Sequence, residues 1–292
     1  MSSYHQGEIE VQDKAGVREE ASRIGKIVRE DIPDVAARFI EQQVMIILGA
    51  RDGEGFVWCS VLYGEPGFVM TVDARTLFVS TLPPQTDPLY ASIQPGHSIG
   101  LLAIEFASRK RMRVNGVITQ LQEDGFLVTT SEVYANCPKY IQSRTFLGFK
   151  PMQKQEPRLS ARLDQDQTDT IRRSDTLFIA THPTGSGADA SHRGGQPGFI
   201  QVMDPHTLVI PDYKGNAMFN TLGNAALYPQ TGLMFLDFES GDLLQLSGET
   251  TVSWEGSERA IRFSIREIRS VPGGFPLRWT FDSYSPFNPA TR

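Results

Sequence analysis

"GEPGFVMTVDARTLFV", residues 64–79, recurs in altered form as "GQPGFIQVMDPHTLVI", residues 195–210. The identical positions include Gly67, Asp73 and Leu77, each repeated 131 residues later. Both stretches read as two short strands joined at an Asp-containing turn. Similarity at one fixed offset, together with the same strand pattern, indicates an internal repeat.

A second pair of stretches repeats in the same way. "GLLAIEFASRKRMRVNG" begins at Gly100 and "GLMFLDFESGDLLQLSG" begins at Gly232, an offset of 132 residues. We therefore predict two tandem copies of one β-domain, because chance agreement at a nearly constant offset is improbable. A strand-rich unit of about 100 residues with frequent turns is typical of a barrel or a sandwich.

The rest of the chain divides around these two copies. The expected order is a helical lead over residues 1–38, a first β-domain over 39–137, a helical linker over 138–171 and a second β-domain with a C-terminal tail over 172–292. The expected fold class is mainly β with short flanking helices.

Composition excludes several classes of protein. The 292 residues carry a net charge of −6, which argues against nonspecific nucleic-acid binding. Cys59 and Cys137 are far apart and the five His form no metal-binding motif, so neither a disulfide framework nor a metal site is predicted. No apolar run approaches the ~20 residues of a membrane span, and the first residues lack a signal-peptide core. The expectation is a cytoplasmic protein without membrane or nucleic-acid partners.

Two short motifs are weak evidence for catalysis. "GHSIG", residues 96–100, matches the nucleophile-elbow pattern, but a strand follows Ser98 where a helix is needed. "GSGADASHRGG", residues 185–195, is rich in glycine without being a P-loop or a dinucleotide fingerprint. We therefore assign no catalytic residue.

The stretch "PDYKGNAMFNTLGN", residues 211–224, carries cationic and amide side chains that the first copy lacks. The candidates for anion binding in the second copy are Arg193, Lys214, Asn216, Asn220 and Asn224. At the same offset, the first four are replaced in the first copy by Leu62, Pro83, Gln85 and Leu89. Arg, Lys, Asn and backbone N–H groups are the donors that phosphate requires. The alternative is a polar turn in which asparagine is chosen because it tolerates left-handed backbone.

The first copy has a basic strand of its own. In "RKRMRVNG", residues 109–116, Arg109, Arg111 and Arg113 share one face at strand spacing. The matching stretch of the second copy, "GDLLQLSG", has none of these charges. This strand is either a solvated edge strand or one that meets an anion.

Together these features resemble the pyridoxamine 5′-phosphate oxidase-like family of FMN-binding split barrels. The resemblance covers roughly residues 35–255. It rests on "SHRGG" followed by a Gly-Phe strand and "TLVIPDYKGNAMFN", on "RMRVNGVI", and on "NCPKYIQ" at residues 136–142, which resembles a segment of tandem members. The resemblance implies two tandem split β-barrels that pack as a pseudo-dimer, with FMN in the groove between them.

The resemblance also implies roles for individual residues. Arg193, Lys214, Asn216 and Asn220 would hold the FMN phosphate, together with Asn224. The residues expected beside the flavin ring or ribityl chain are Arg111, Arg113, Ser191, His192 and Lys139. The C-terminal Arg278 and Trp279 are expected to pack on the body of the protein.

The implied function is that of an FMN-dependent oxidoreductase acting on a small-molecule substrate. The electron donor would be a nicotinamide or a partner reductase, because the flavin supplies the chemistry. The alternatives are a non-catalytic flavin-binding or sensory module, and a module for haem or deazaflavin, with His182, His192 and His206 as candidate haem ligands. A chain that contains two fused barrels could be monomeric. We nevertheless expect a homodimer.

Overall fold

The computed structural model describes residues 4–152, 155–183, 187–256 and 258–289, and they are mainly antiparallel β-structure. The prediction of a mainly β protein is confirmed. The leading segment contains helices α1 (Gln6–Lys14), α2 (Arg18–Ile24) and α3 (Asp34–Glu41). Helix α1 begins with a capping box, in which the His5 side chain accepts from the Glu8 backbone and the Glu8 carboxylate accepts from the His5 backbone.

The first sheet has seven strands. They are β1 (Met45–Arg51), β2 (Val57–Tyr63), β3 (Val69–Asp73), β4 (Thr76–Val79), β5 (Ser98–Glu105), β6 (Lys110–Leu121) and β7 (Phe126–Ala135). Their order across the sheet is β2-β1-β5-β6-β7-β4-β3.

The linker and second half begin with β8 (Ser143–Phe149), β9 (Arg158–Ser160) and helix α4 (Gln165–Arg173). The second sheet then contains β10 (Thr176–Thr181), β11 (Asp189–Gly194), β12 (Gln201–Asp204), β13 (Thr207–Pro211), β14 (Gln230–Leu236), β15 (Leu243–Glu255) and β16 (Glu258–Val271). Helix α5 (Asn220–Leu227) follows β13, and β17 (Leu277–Ser283) ends the described strands.

The two sheets have the same strand order. The second sheet runs β11-β10-β14-β15-β16-β13-β12, with β9 added beside β16, so β1 to β7 correspond in turn to β10 to β16. Within the described parts of the chain, neither sheet is closed by pairing of its two edge strands.

The hydrophobic core has a cluster within each half, a third between the halves, and a small fourth one that includes Tyr4 and Ala21 of the leading segment. Strand β1 shows why, because Ile46 and Leu48 pack into the first half while Met45 and Ile47 face the second. The strand is therefore buried on both faces, which accounts for its continuous apolar sequence.

The repeated glycines Gly100 and Gly232 allow the two halves to approach each other. A Cβ on Gly100 would lie 2.6 Å from the Cα of Asp189 in β11, and a Cβ on Gly232 would lie 2.6 Å from the Trp58 backbone in β2. Any larger residue at either position would force the sheets apart.

The prediction of a helical linker was wrong at two strands. Residues 138–171 were expected to be helical, but they form β8 and β9 before α4 begins at Gln165. Strand β8 pairs with β17, and Phe146 packs 5.2 Å from the Trp279 ring. This contact between aromatic side chains favours the pairing of the two strands. As expected, Arg278 and Trp279 are buried against the body.

Candidate anion site

A cavity of about 80 Å³ lies where strand β6 of the first half meets strand β11 of the second. Arg111 and Arg113 reach it from β6, and Ser191, His192 and Arg193 reach it from β11. Further walls come from the segment after β7, from Phe199, and from the turn that connects β13 to α5 together with the first residues of α5. The site therefore combines residues from both halves of the chain.

Eight of the ten predicted cofactor-binding residues line this cavity. They are Arg111, Arg113, Lys139, Ser191, His192, Arg193, Asn216 and Asn220. The other two do not: Lys214 is exposed, and its backbone oxygen accepts from the Tyr140 hydroxyl at 3.0 Å. Asn224 is buried in α5, where its amide donates to Thr181 Oγ1 at 2.9 Å.

Arg111 is a cation that contacts His192. Its Nη1 lies 2.9 Å from Nδ1 and 3.2 Å from the backbone oxygen of His192. Among the described residues, no carboxylate forms an ion pair with it. Burial, followed by repulsion from Arg113 and Arg193, lowers the pKa of the Arg111 guanidinium to about 9. A bound anion would relieve this electrostatic cost.

Arg113 is buried in a network of polar partners. Its Nη1 lies 3.1 Å from Asp189 Oδ1 and donates to Tyr134 at 2.9 Å and to Asn220 Oδ1 at 3.1 Å. Its Nη2 donates to the Ser191 hydroxyl. Asp189 thus compensates one of the three arginines.

Arg193 completes the cationic wall. Its Nη2 lies 3.6 Å from Asp212 Oδ1, and the other oxygen of Asp212 accepts from Arg259 Nε at 3.0 Å. Burial lowers the pKa of Arg193, although Asp212 opposes the shift. Since one carboxylate serves two guanidinium groups here, the site retains positive charge.

His192 is neutral and presents a hydrogen-bond donor. Burial, and then Arg111 and Arg193, hold the pKa of the imidazole well below its ordinary value. The Nδ1 atom faces a donor on Arg111, so Nδ1 must accept and Nε2 must carry the proton. That Nε2 atom is buried and has no hydrogen-bond partner among the residues that the structure describes.

Five buried nitrogens of the lining residues lack a partner in the described structure. They are Nε of Arg111, Arg113 and Arg193, Nε2 of His192 and Nδ2 of Asn136. All five are donors in the states assigned above, and an unsatisfied buried donor costs about 1–3 kcal/mol. An anion with several acceptor oxygens, such as a phosphate group, is one kind of ligand that would satisfy these donors.

The asparagine side chains support the site instead of facing it as free donors. Asn216 Nδ2 donates to Asn136 Oδ1 at 2.9 Å, and Asn216 Oδ1 accepts from the Met218 backbone at 3.2 Å. Asn220 Nδ2 donates to Glu8 Oε1 at 2.5 Å while its oxygen accepts from Arg113. These amides are already bonded within the protein, so they shape the turn and orient Arg113.

The left-handed residues of this turn are not asparagines. Ala217 and Phe219 have φ of 60° and 62°, whereas Asn216 and Asn220 do not adopt positive φ. Each strained residue costs of order 1–3 kcal/mol and needs surrounding contacts to hold it. The alternative explanation, that asparagine was chosen for left-handed tolerance, is therefore wrong at these positions.

The corresponding place between β15 and β2 is filled by neutral side chains and one acid. Gln245 Nε2 donates to Ser60 Oγ at 2.9 Å and to Asp87 Oδ2 at 3.2 Å. Ser60 also donates to Asp87, at 2.8 Å. By strand order, Gln245 and Ser60 stand where Arg113 and Ser191 stand in the cavity. This network contains a carboxylate where the cavity has arginines, so the two places differ in charge.

Several contributors were not predicted. Four residues that line the cavity were not among the predicted ones: Asn136, Cys137, Tyr140 and Asp212. Three of these lie in or next to "NCPKYIQ", from which only Lys139 was chosen, and Asp212 lies in the quoted turn. Glu8, more than 200 residues from its partner Asn220, gave no local signal.

Other site types find no support in the described ranges. They contain no group of three or more His, Cys, Asp or Glu side chains that could hold a metal ion. No helix within them has both the length and the apolar character needed to cross a bilayer.

No protein-family model matches the chain, and no curated protein matches it in sequence. Among solved structures, HupZ of Group A Streptococcus is 13% identical, with a TM-score of 0.33 over 39% of this chain and 98% of that one. An FMN-binding protein from Syntrophomonas wolfei is 12% identical, with a TM-score of 0.29 over 36% and 82%. A pyridoxinephosphate oxidase family protein from Clostridium acetobutylicum is 9% identical, with a TM-score of 0.30 over 40% and 92%. These similarities are too low to assign a family.

Proposed function

We propose that the chain is an FMN-binding flavoprotein that holds the FMN phosphate in the cavity between its two halves. The observation that carries this proposal is the set of five unpartnered donor nitrogens around one cavity. Four cationic side chains line it, and Asp212 is the one carboxylate among the lining residues. A phosphate dianion satisfies both the donors and the excess positive charge.

The size of the cavity fits the phosphate alone. Sites that enclose a whole drug-sized ligand measure roughly 300–1,000 Å³, whereas this cavity measures about 80 Å³. The flavin ring would therefore lie outside the cavity, toward the half-exposed Tyr213 and Tyr140 at its rim. The tilted pair of these two rings, 5.2 Å apart, offers an aromatic surface there.

The fold proposal follows from the duplicated topology. We interpret the two halves as two split barrels of the pyridoxamine 5′-phosphate oxidase-like type, fused as a pseudo-dimer. The identical strand order and the matched inter-sheet glycines support this interpretation. On this basis we propose one FMN per chain, because the corresponding place is filled by Gln245, Ser60 and Asp87.

Bound FMN would supply two-electron redox chemistry, and the proposed activity is that of an oxidoreductase. The chain's own part is to fix the phosphate with Arg111, Arg113 and Arg193 and to keep His192 neutral as a donor. A nicotinamide or a separate reductase is the proposed electron donor, and the proposed assembly is a cytoplasmic homodimer.

The absorption spectrum of the purified protein, with mass spectrometry of the acid-released ligand, tests this function. We expect a flavin spectrum and FMN at one equivalent per chain. If the purified protein is colourless, titration with FMN should restore one equivalent. A haem Soret band, a deazaflavin mass, or failure to take up FMN would contradict the proposal.

Lys214→Ala is expected to change FMN affinity by less than about twofold. The Lys214 side chain is exposed and lies outside the lining of the cavity, and the Tyr140 contact uses the backbone oxygen, which alanine retains. Exposed charges contribute little to binding at physiological salt. Flavin fluorescence titration measures the effect, and a loss of tenfold or more would place Lys214 in the phosphate site.

A further inference from the structure

Helix α1 is docked on helix α5, directly behind the anion site. Two hydrogen bonds, one helical turn apart on α5, make the contact: Glu8 Oε1 accepts from Asn220 at 2.5 Å, and His5 Nε2 lies 2.7 Å from Asn224 Oδ1. Gln12 Nε2 also donates to the backbone oxygen of Met218, in the turn before α5. The leading helix thus holds both the first turn of α5 and the strained turn that precedes it.

The two helices touch through a pair of glycines. A Cβ on Gly223 would lie 2.6 Å from the Cα of Glu8, and a Cβ on Gly7 would collide with the Gly223 backbone oxygen. This backbone contact is what allows the short Glu8 side chain to reach Asn220. Glu8 is only 4% exposed, so its carboxyl is sealed between the helices.

We propose that Glu8 is a positioning residue of the anion site, which makes α1 part of the site and makes anion affinity depend on the charge of this buried carboxyl. Glu8 Oε1 accepts from the Asn220 amide, and this turns Asn220 Oδ1 toward Arg113 Nη1 at 3.1 Å. Arg113 in turn donates to Ser191, which lines the cavity. Glu8 itself does not line the cavity, and it acts through Asn220 and Arg113.

The pH response follows from the surroundings of Glu8. Burial raises the pKa of Glu8 to about 7, and Glu132 of β7 and Asp189 of β11 add to this against hydrogen bonds from His5 and Asn220. Tyr4 and His5 face it from the leading segment. Below pH 7 the carboxyl is neutral, and above pH 7 it places a negative charge behind Asn220. Rising pH should therefore weaken anion binding through this residue.

Comparison of Glu8→Gln with the natural protein isolates this effect from the titration of the ligand phosphate, which has a pKa near 6. The glutamine keeps an acceptor for Asn220 but carries no charge. This comparison uses FMN as the probe and rests on the proposed function. At pH 6 we expect the two proteins to bind FMN within about twofold of each other, and at pH 8.5 we expect the glutamine variant to bind roughly fivefold more tightly. Equal affinities at both pH values would overturn the pH response.

Hydrogen exchange of the ligand-free protein tests the positioning role even if FMN is not the ligand. In Glu8→Leu, amides of residues 213–222 should exchange at least about tenfold faster, because the turn and the start of α5 lose their clamp. Glu10→Leu is the matched control, since Glu10 lies exposed on the same helix. Recovery of protection in Glu8→Gln would support positioning through Asn220. Exchange in Glu8→Leu equal to that in Glu10→Leu would overturn the proposal.

Discussion

Replacing Arg111 with methionine is expected to weaken FMN binding by roughly 30- to 100-fold while leaving the ligand-free protein as stable as before, or about 1 kcal/mol more stable. The two effects have opposite signs because Arg111 is a cation with no carboxylate partner among the described residues, and its pKa is lowered to about 9. Its charge costs free energy in the empty site and is compensated when the phosphate binds. Methionine fills similar space without the charge.

Flavin fluorescence titration and urea unfolding of the ligand-free protein measure the two effects separately. Lys110→Met is the matched control, because it removes one positive charge from the exposed adjacent position of the same strand. Its affinity for FMN should stay within about twofold of the natural protein. The opposite result would be an Arg111 variant that is less stable than the natural protein and has the same affinity for FMN as the Lys110 variant. Arg111 would then be a structural residue and not a ligand-binding one.

The architecture was largely predictable because similar strand and turn sequences occur twice in the chain. Matched strands and turns recur at offsets of 131 and 132, and the structure has two sheets of identical strand order. The linker was predicted wrongly because β8 depends on β17, more than 120 residues away. A strand whose partner is that distant carries little information in its own sequence.

The site was predictable in its members but not in their roles. Arg111 and Arg113 stood out through strand periodicity, and Arg193 because the first copy has Leu62 at the same offset. The asparagines also stood out, but their hydrogen-bond partners lie far away in the sequence. Asn220 donates to Glu8, and Asn216 donates to Asn136. A sequence shows which donors are present, whereas only the folded chain shows which of them remain without partners.

Replacing Arg113 with methionine is expected to have the largest effect on stability, a loss of roughly 3–5 kcal/mol in the free energy of unfolding. The change leaves the buried Asp189 carboxylate without its guanidinium 3.1 Å away. It also removes the donor to Tyr134 and Asn220. Unlike Arg111, Arg113 has its charge compensated inside the protein by Asp189. Truncation of Arg113 therefore leaves a buried carboxylate without its counter-ion.

The loss should grow with pH. Burial raises the pKa of Asp189 to about 6 even though Arg113 opposes the shift, so removal of Arg113 raises it further. A carboxyl group whose pKa is higher in the folded than in the unfolded state contributes its full stabilisation at a pH below the unfolded-state pKa. That stabilisation is lost as the pH rises through the folded-state pKa. In the natural protein this stabilisation has been lost completely once the pH exceeds about 6. In the Arg113 variant the pKa of Asp189 is higher, so the stabilisation continues to fall above pH 6. Urea unfolding should therefore show a larger difference in stability between the variant and the natural protein at pH 8 than at pH 5. The double variant Arg113→Met with Asp189→Asn should remove most of this pH dependence. A deficit below about 1 kcal/mol that is the same at both pH values would show that Asp189 does not depend on Arg113.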